Sequence, residues 1–379
     1  MAAPSLWLEE HREPLPQRRF AGRAEVAVVG GGVTGCSCAL SLAERGVRVR
    51  LFEAREVAGG ASGRNGGFAL RGATAPYDTA RVTLGPERAR LVMDLTERTL
   101  ERMAVLAGDA FRRVGSLRLA WGDKERDALR REHDALRDDG FAVEWVDDLP
   151  SPLDRLYRGA ILHPPDGALQ PARWVRRLAR HAAEAGADIR EAEAVDVTAV
   201  AADLVVVAGD GYTASLLPEL ASFVVATRGQ VLATEPLGEL LYERPHYARA
   251  AYDYWHQLPD RRLVIGGQRD AALDEEATDV LGVTDVVQRR IETLAADLVG
   301  HAPRVTHRWS GIWGSTPDLN PLVGRVPGRE DVWVAGGYTG HGNVLGLACG
   351  DLVARAILGE RSPVLDVFDP ARFFAAVGL

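Results

Sequence analysis

The sequence predicts an α/β protein of two interleaved domains. One is a parallel sheet flanked by helices, and the other is an α+β unit with a mixed, largely antiparallel sheet. Three observations lead there. Residues Ala24 to Glu53 read as strand, Gly-rich turn, helix and strand in a single βαβ unit. Two more buried-type apolar strands, Leu204 to Gly209 and Val332 to Gly336, stand far downstream. The segments between these strands do not continue the βαβ alternation, so each domain is assembled from several pieces of chain.

In the first unit, Val26-Ala27-Val28-Val29 runs into Gly30-Gly31-Gly32-Val33-Thr34-Gly35, a helical pattern follows to Arg45, and Val47 to Phe52 alternates up to Glu53. Gly30 turns the chain off the strand, Gly32 admits a pyrophosphate to the backbone, and Gly35 packs the helix on the sheet. The N–H groups of the helix start, at Val33 and Thr34, then face phosphate. Glu53, followed by Ala54, can accept from ribose hydroxyls. A second Gly-rich stretch comes at once: Gly59-Gly60-Ala61-Ser62-Gly63-Arg64-Asn65-Gly66-Gly67. An NAD site has no need of it. It reads either as backbone pressed on a larger, extended cofactor or as a surface loop.

The rest follows in order. Residues 1–22 read as an irregular arm. Leu91, Leu95, Leu100, Met103 and Leu106 recur at helical spacing within Pro86 to Ala107. Ser116 to Trp121 is strand-like, Lys124 to Arg137 helical, and Phe141 to Val146 strand-like again. Pro171 opens a helix that runs to Gly186. Ala187 to Glu191 leads into Val195 and a further strand. Phe223 to Pro236 and Ala250 to Arg269 are strands of the second domain, with a hairpin turn at Leu258 to Arg262. Thr284 to Val299 is a helix. After Val332 to Gly336 come Gly337-Tyr338-Thr339-Gly340-His341-Gly342-Asn343 and a helix to Leu358.

Composition narrows the classes. Net charge is −8, without a basic block, so nucleic acid is not an expected partner. No apolar run reaches the ~20 residues that span a bilayer. The first 20 residues lack the order of a signal peptide, and the 3 cysteines suggest no disulfide framework. A soluble, cytoplasmic protein without a metal site is the expectation. Of the 45 basic residues only Lys124 is a lysine, and it opens a solvated helical run, which disfavours Schiff-base chemistry.

Val28 to Glu53 together with Gly60 to Gly67 resembles the D-amino-acid oxidase superfamily of flavoproteins, and within it the branch containing gamma-glutamylputrescine oxidase. The likeness runs from the Ser5-Leu6-Trp7-Leu8 arm to the last helix. It implies a Rossmann-type FAD-binding domain made of 22–76, 156–215 and 325–365, a substrate domain made of 77–155 and 216–324, and an N-terminal arm at 1–21. It implies FAD lying extended across Gly30, Gly32, Val33, Thr34, Gly35, Glu53, Ala54, Gly60, Ala61, Ser62, Arg64, Asn65, Gly66, Gly67, Val195, Ala208, Gly209, Gly337, Tyr338, Gly340, His341, Gly342, Asn343 and Val344. The family places an antiparallel meander between Val195 and the next strand. Only about eight residues are available here, so that meander is short or missing.

The implied reaction is oxidation of a C–N bond by hydride transfer to flavin N5. Hydrolysis of the imine follows, with dioxygen or another acceptor taking the electrons. Where monomeric sarcosine oxidase-like members of the family carry a flavin-linking cysteine, this chain has Gly311, so FAD is expected to be non-covalent. Trp313 and Val344 replace an arginine and a lysine that bind substrate carboxylates in glycine and sarcosine oxidases. The expected substrate is therefore an amine or N-substituted amino compound, unless an arginine such as Arg269 or Arg71 enters from another strand. Tyr252, Tyr254 and His256 alternate on one strand and are expected to orient the amine, Trp313 to cage it. Arg64 is the candidate for tuning oxygen reactivity. His341 reads as a support of its turn, with a general base as the alternative. A D-amino-acid or glycine-type oxidase and a non-catalytic flavin-binding protein remain open.

Overall fold

The computed structural model describes residues 3–377. Apolar β-branched runs form a six-stranded sheet in the order β16 (Leu322–Arg325), β17 (Val332–Gly336), β10 (Ala202–Val207), β1 (Ala24–Val29), β2 (Val49–Phe52) and β9 (Asp188–Arg190). All neighbours are parallel except β16, which pairs antiparallel with β17. The helix Val33–Ala43 that follows β1 is buried on every side. It lies between the sheet, the helix Pro171–Glu184 and the helix Gly342–Ile357. Two glycines make the last contact possible: a Cβ on Gly346 would stand 2.6 Å from Val33 Cγ1, and one on Gly350 2.3 Å from Thr34 O.

The second sheet has eight strands: β15 (Val305–Ser315), β11 (Val225–Pro236), β14 (Arg262–Gly267), β13 (Asp253–Gln257), β12 (His246–Ala248), β5 (Ser116–Leu119), β7 (Ala160–His163) and β6 (Glu144–Val146). Only the β12–β5 pair is parallel. The helix Asp285–Val299 covers one face, and the other face turns toward the first sheet. A small third sheet, β3 (Phe68–Ala69), β8 (Gly167–Leu169) and β4 (Phe111–Arg112), bridges the two. One apolar cluster runs from Val26 and Val28 through both central helices to Val231 and Trp309 of the large sheet, so the two units share a core.

Two expectations change. Val195 lies in no strand, and none occurs between Arg190 and Ala202, so the meander is absent rather than short. Ala160–His163, assigned from sequence to the cofactor domain, pairs in the large sheet, antiparallel to Ser116–Leu119 on one side and Glu144–Val146 on the other. Trp309 to Ser315 forms the end of the eleven-residue strand β15. The long helix spans Pro86–Ala107 as its periodicity indicates. Lys124 is exposed on the helix Asp123–Asp138. Among the described residues no helix is long and apolar enough to cross a membrane.

Candidate cofactor and substrate site

The turn after β1 is built by contacts that admit no side chain. Gly30 has φ +115°, and a Cβ there would sit 2.5 Å from Ala208 O. A Cβ on Gly35 would sit 1.9 Å from Gly30 O. Glu53, at the end of β2, points back into this turn: Oε2 accepts from Gly31 N at 2.7 Å and Oε1 from Arg55 N at 2.9 Å. Ser62 Oγ accepts from Val33 N at 3.0 Å, which brings the second Gly-rich stretch onto the helix N-terminus. A Cβ on Gly32 would meet that same Oγ at 2.9 Å.

Asn65 holds the second stretch in shape. Its Nδ2 donates to Ala61 O and Ser62 O at 3.1 Å, and its Oδ1 accepts from Gly67 N at 2.8 Å. Asn343 ties it to the third element by donating to Asn65 Oδ1 at 3.1 Å and Phe68 O at 2.7 Å. His341, just before the helix Gly342–Ile357, has Nδ1 at 3.1 Å from Thr74 Oγ1. Burial pushes its pKa down to about 4. Sequence reasoning missed Asp210. Its Oδ1 accepts from Gly337 N at 2.9 Å, fixing the turn after β17, and burial raises its pKa to about 6. An acid directly after a Gly that ends a strand was the available signal.

These elements surround one cavity of about 820 Å³. At the Glu53 end it is closed by Ala54, Val195, Gly209, Tyr212 and Leu216. It passes Gly30, Gly32, Val33, Thr34, Gly60, Ala61, Ser62, Arg64, Asn65, Gly66 and Ala208 on one side, with Tyr338, Gly340, His341, Gly342, Asn343 and Val344 on the other. It then opens onto Tyr252, Tyr254, Trp313 and Gly311 of the large sheet and continues to Tyr77, Met93 and Leu136. Gly35, Gly67 and Gly337 stand behind the wall. Their role is backbone geometry: Gly67 and Gly337 have φ +80° and +76°.

His256 is the clear correction. It is fully buried outside the wall, with ring centroids 5.5 Å from Phe68 and 6.3 Å from Trp7. Neither ring nitrogen has a hydrogen-bond partner among the described residues, and burial lowers its pKa to about 3. Alternation does place it on the same face as Tyr254. There, however, Gly67 and Phe68 cover the sheet and end the cavity.

Arg64 is in the wall, but its guanidinium serves the backbone. Nε donates to Gly59 O at 2.9 Å, and Nη1 to Ala3 O at 3.1 Å and Ser310 O at 3.4 Å. Burial, with Arg55 nearby, pulls its pKa down.

The two arginines that the sequence left open as carboxylate partners differ. Arg71 is committed to Glu97 at 2.6 Å and Asp166 at 3.4 Å. Arg269 has no ion-pair partner among the described residues. Its guanidinium carbon lies 4.8 Å from the Tyr252 ring centroid and 5.6 Å from that of Trp313. The adjacent Asp270 is taken by Arg249 at 2.6 Å and Arg290 at 3.7 Å. Of the two arginines that the sequence left open, Arg269 is therefore the one whose charge is unpaired at the cavity wall.

A Gly-rich turn on a helix N-terminus, an acid at the second strand end and two further Gly-rich elements around one long cavity define a dinucleotide-binding protein with space for a second ligand. The model of the FAD dependent oxidoreductase family matches residues 25–356, and the chain belongs to that family. It is 31% identical over 396 residues to the probable oxidoreductase OrdL of Rhizobium meliloti (strain 1021), covering 97% of this chain and 90% of that protein. It is 29% identical over 368 residues to gamma-glutamylputrescine oxidoreductase of Escherichia coli (strain K12), covering 89% and 84%. The crystal structure of glycine oxidase from Geobacillus kaustophilus superposes with a TM-score of 0.73 at 25% identity, covering 93% of this chain and 98% of that one. The protein is an FAD-dependent oxidoreductase. FAD fits the residues present: Gly30 and Gly35 leave no room for a side chain at the turn, and the helix start at Val33 and Thr34, the carboxylate of Glu53, and Gly60 to Gly66 line one cavity of about 820 Å³.

Proposed function

We propose that the protein oxidises a C–N bond of an amine or N-substituted amino compound, with non-covalently bound FAD. The observation that carries this is the unbroken passage from the dinucleotide cradle to the wall of Tyr252, Tyr254, Trp313 and the unpaired Arg269. The flavin, when bound, supplies the hydride acceptor. Tyr254, lying across Gly266, and Trp313 offer aromatic faces to the substrate chain. The cavity continues past these residues to Tyr77, Met93 and Leu136, which gives space for an N-substituent larger than a methyl group. Gly311, with its Cβ position 3.2 Å from Arg64 Cβ, presents no nucleophile for a flavin link.

Arg269 supports an acid-bearing substrate over a plain amine. Desolvating a carboxylate without a charge partner costs several kcal/mol, and Arg269 removes that cost. The names of the E. coli and G. kaustophilus relatives, one an amine derivative and one an amino acid, bracket the same choice. Anaerobic flavin bleaching with putrescine derivatives, sarcosine, N-alkylglycines, glycine and D-alanine at one pH tests the reading. Bleaching by N-substituted compounds ahead of glycine and D-alanine is expected. Bleaching by none of them would overturn C–N oxidation.

A further inference from the structure

The large sheet carries a second polar station that the cofactor cradle does not use. On the face that lines the cavity, Arg118 of β5, Tyr247 of β12 and Tyr254 of β13 are consecutive cross-strand partners, so they stand in one row. Arg118, Glu132 and Tyr247 all belong to the cavity wall. Glu132 accepts from Arg118 Nη1 and, through Oε1, from Tyr77 N at 3.0 Å. The Arg118 guanidinium carbon lies 5.8 Å from the Tyr247 ring centroid. Among the described residues the Tyr247 hydroxyl has no hydrogen-bond partner, and Arg118 donates to Glu132 alone.

We infer that Arg118 and Tyr247 form a subsite for a neutral hydrogen-bond acceptor, such as a carboxamide oxygen, at the far end of an elongated substrate. Two strand spacings of ~4.8 Å separate Arg118 from Tyr254, so the acceptor lies roughly 10 Å from the part of the substrate beside Tyr254. The chemistry of the station selects the group. Its free atoms are donors: the remaining guanidinium N–H groups and a phenol. Its charge is already balanced by Glu132, so a carboxylate there has no net counter-charge. Arg71, in the same wall, is likewise committed, to Glu97 at 2.6 Å and Asp166 at 3.4 Å, and offers no free charge.

This inference rests on the oxidation reading above, and the test separates the two. Alkylamines and N-alkylglycines are made in two lengths, with the tail ending in methyl, carboxamide or carboxylate roughly 5 or 10 Å from the nitrogen. Dissociation constants are read from the perturbed spectrum of the oxidised flavin, which requires no turnover. The expected result is that the long carboxamide binds about fivefold or more tightly than the long methyl compound, the scale of one buried hydrogen bond. The short pair should not differ. Tyr247→Phe keeps the ring and should close the gap. The charge-free double variant Arg118→Gln/Glu132→Gln should narrow it as well. Equal binding of the three long compounds, preference for the carboxylate, or a gap that survives Tyr247→Phe would overturn the subsite. Absence of bleaching across every compound overturns the oxidation reading instead.

Discussion

The two ends of the cavity are built by different means. Around Gly30, Gly35, Glu53 and Asn65 the wall is main chain, and its side chains bond to backbone. Around Tyr252, Tyr254, Trp313 and Arg269 it is side chain standing on a sheet. A ligand held by backbone N–H groups constrains where glycine must be. A ligand held by side chains can take its partner from any element that reaches the wall, without disturbing the fold. The cradle should therefore fail all at once, and the substrate wall by degrees.

The largest expected effect is at Gly35. Gly35→Ala places a methyl group 1.9 Å from Gly30 O, against backbone that cannot yield. The variant should purify without flavin or not fold, seen in the visible spectrum and by circular dichroism. Trp313→Phe should stay yellow. If Gly35→Ala carried full FAD, the contrast between the two ends would be lost. Heat or acid should release FAD from the wild type into solution; flavin fluorescence remaining with the precipitated chain would contradict the non-covalent reading.

Next comes Arg269. Arg269→Met keeps the stem over Tyr252 and Trp313 but removes the charge. Loss of a charge-assisted contact is worth about 1.5–3 kcal/mol, or roughly 10- to 150-fold in kcat/KM. The loss should fall on acid-bearing substrates and spare plain amines. An equal loss on both would make Arg269 a support of Trp313 only. Within the cradle, Glu53→Ala should weaken FAD by about 1–3 kcal/mol, measured by fluorescence during reconstitution. Undiminished affinity would take Glu53 out of the ribose contact.

Much of the cradle was legible because glycine has few substitutes where φ is positive or backbone approaches backbone. The spacing from Gly30 to Glu53 thus reports geometry directly. Asp210 escaped because its work, holding Gly337 N, becomes visible only once β10 and β17 lie side by side. The substrate wall was half legible. Period-two alternation correctly puts Tyr254 and His256 on one face, but alternation does not say where Phe68 will cover that face. Arg269 was visible as a residue. That its charge is free depends on Asp270 going to Arg249 and Arg290, which is a tertiary fact.

The last expected effect concerns pH, and it distinguishes a chemical histidine from a packed one. Burial holds His341 at about 4 and His256 at about 3, so both are neutral at pH 7. Neither can lose a proton on raising the pH from 7 to 9. Over that range log kcat/KM should climb with unit slope toward the pKa of the substrate amine, because only the neutral amine is productive. The wall contributes one group of its own just below: Asp210, raised to about 6. As pH falls through 6 it becomes protonated and its hold on Gly337 N weakens, so a shallow acid limb there should vanish in Asp210→Asn. A step between 7 and 9 that keeps its position when the substrate amine is changed, and disappears in His341→Ala, would move His341 from the scaffold into the chemistry.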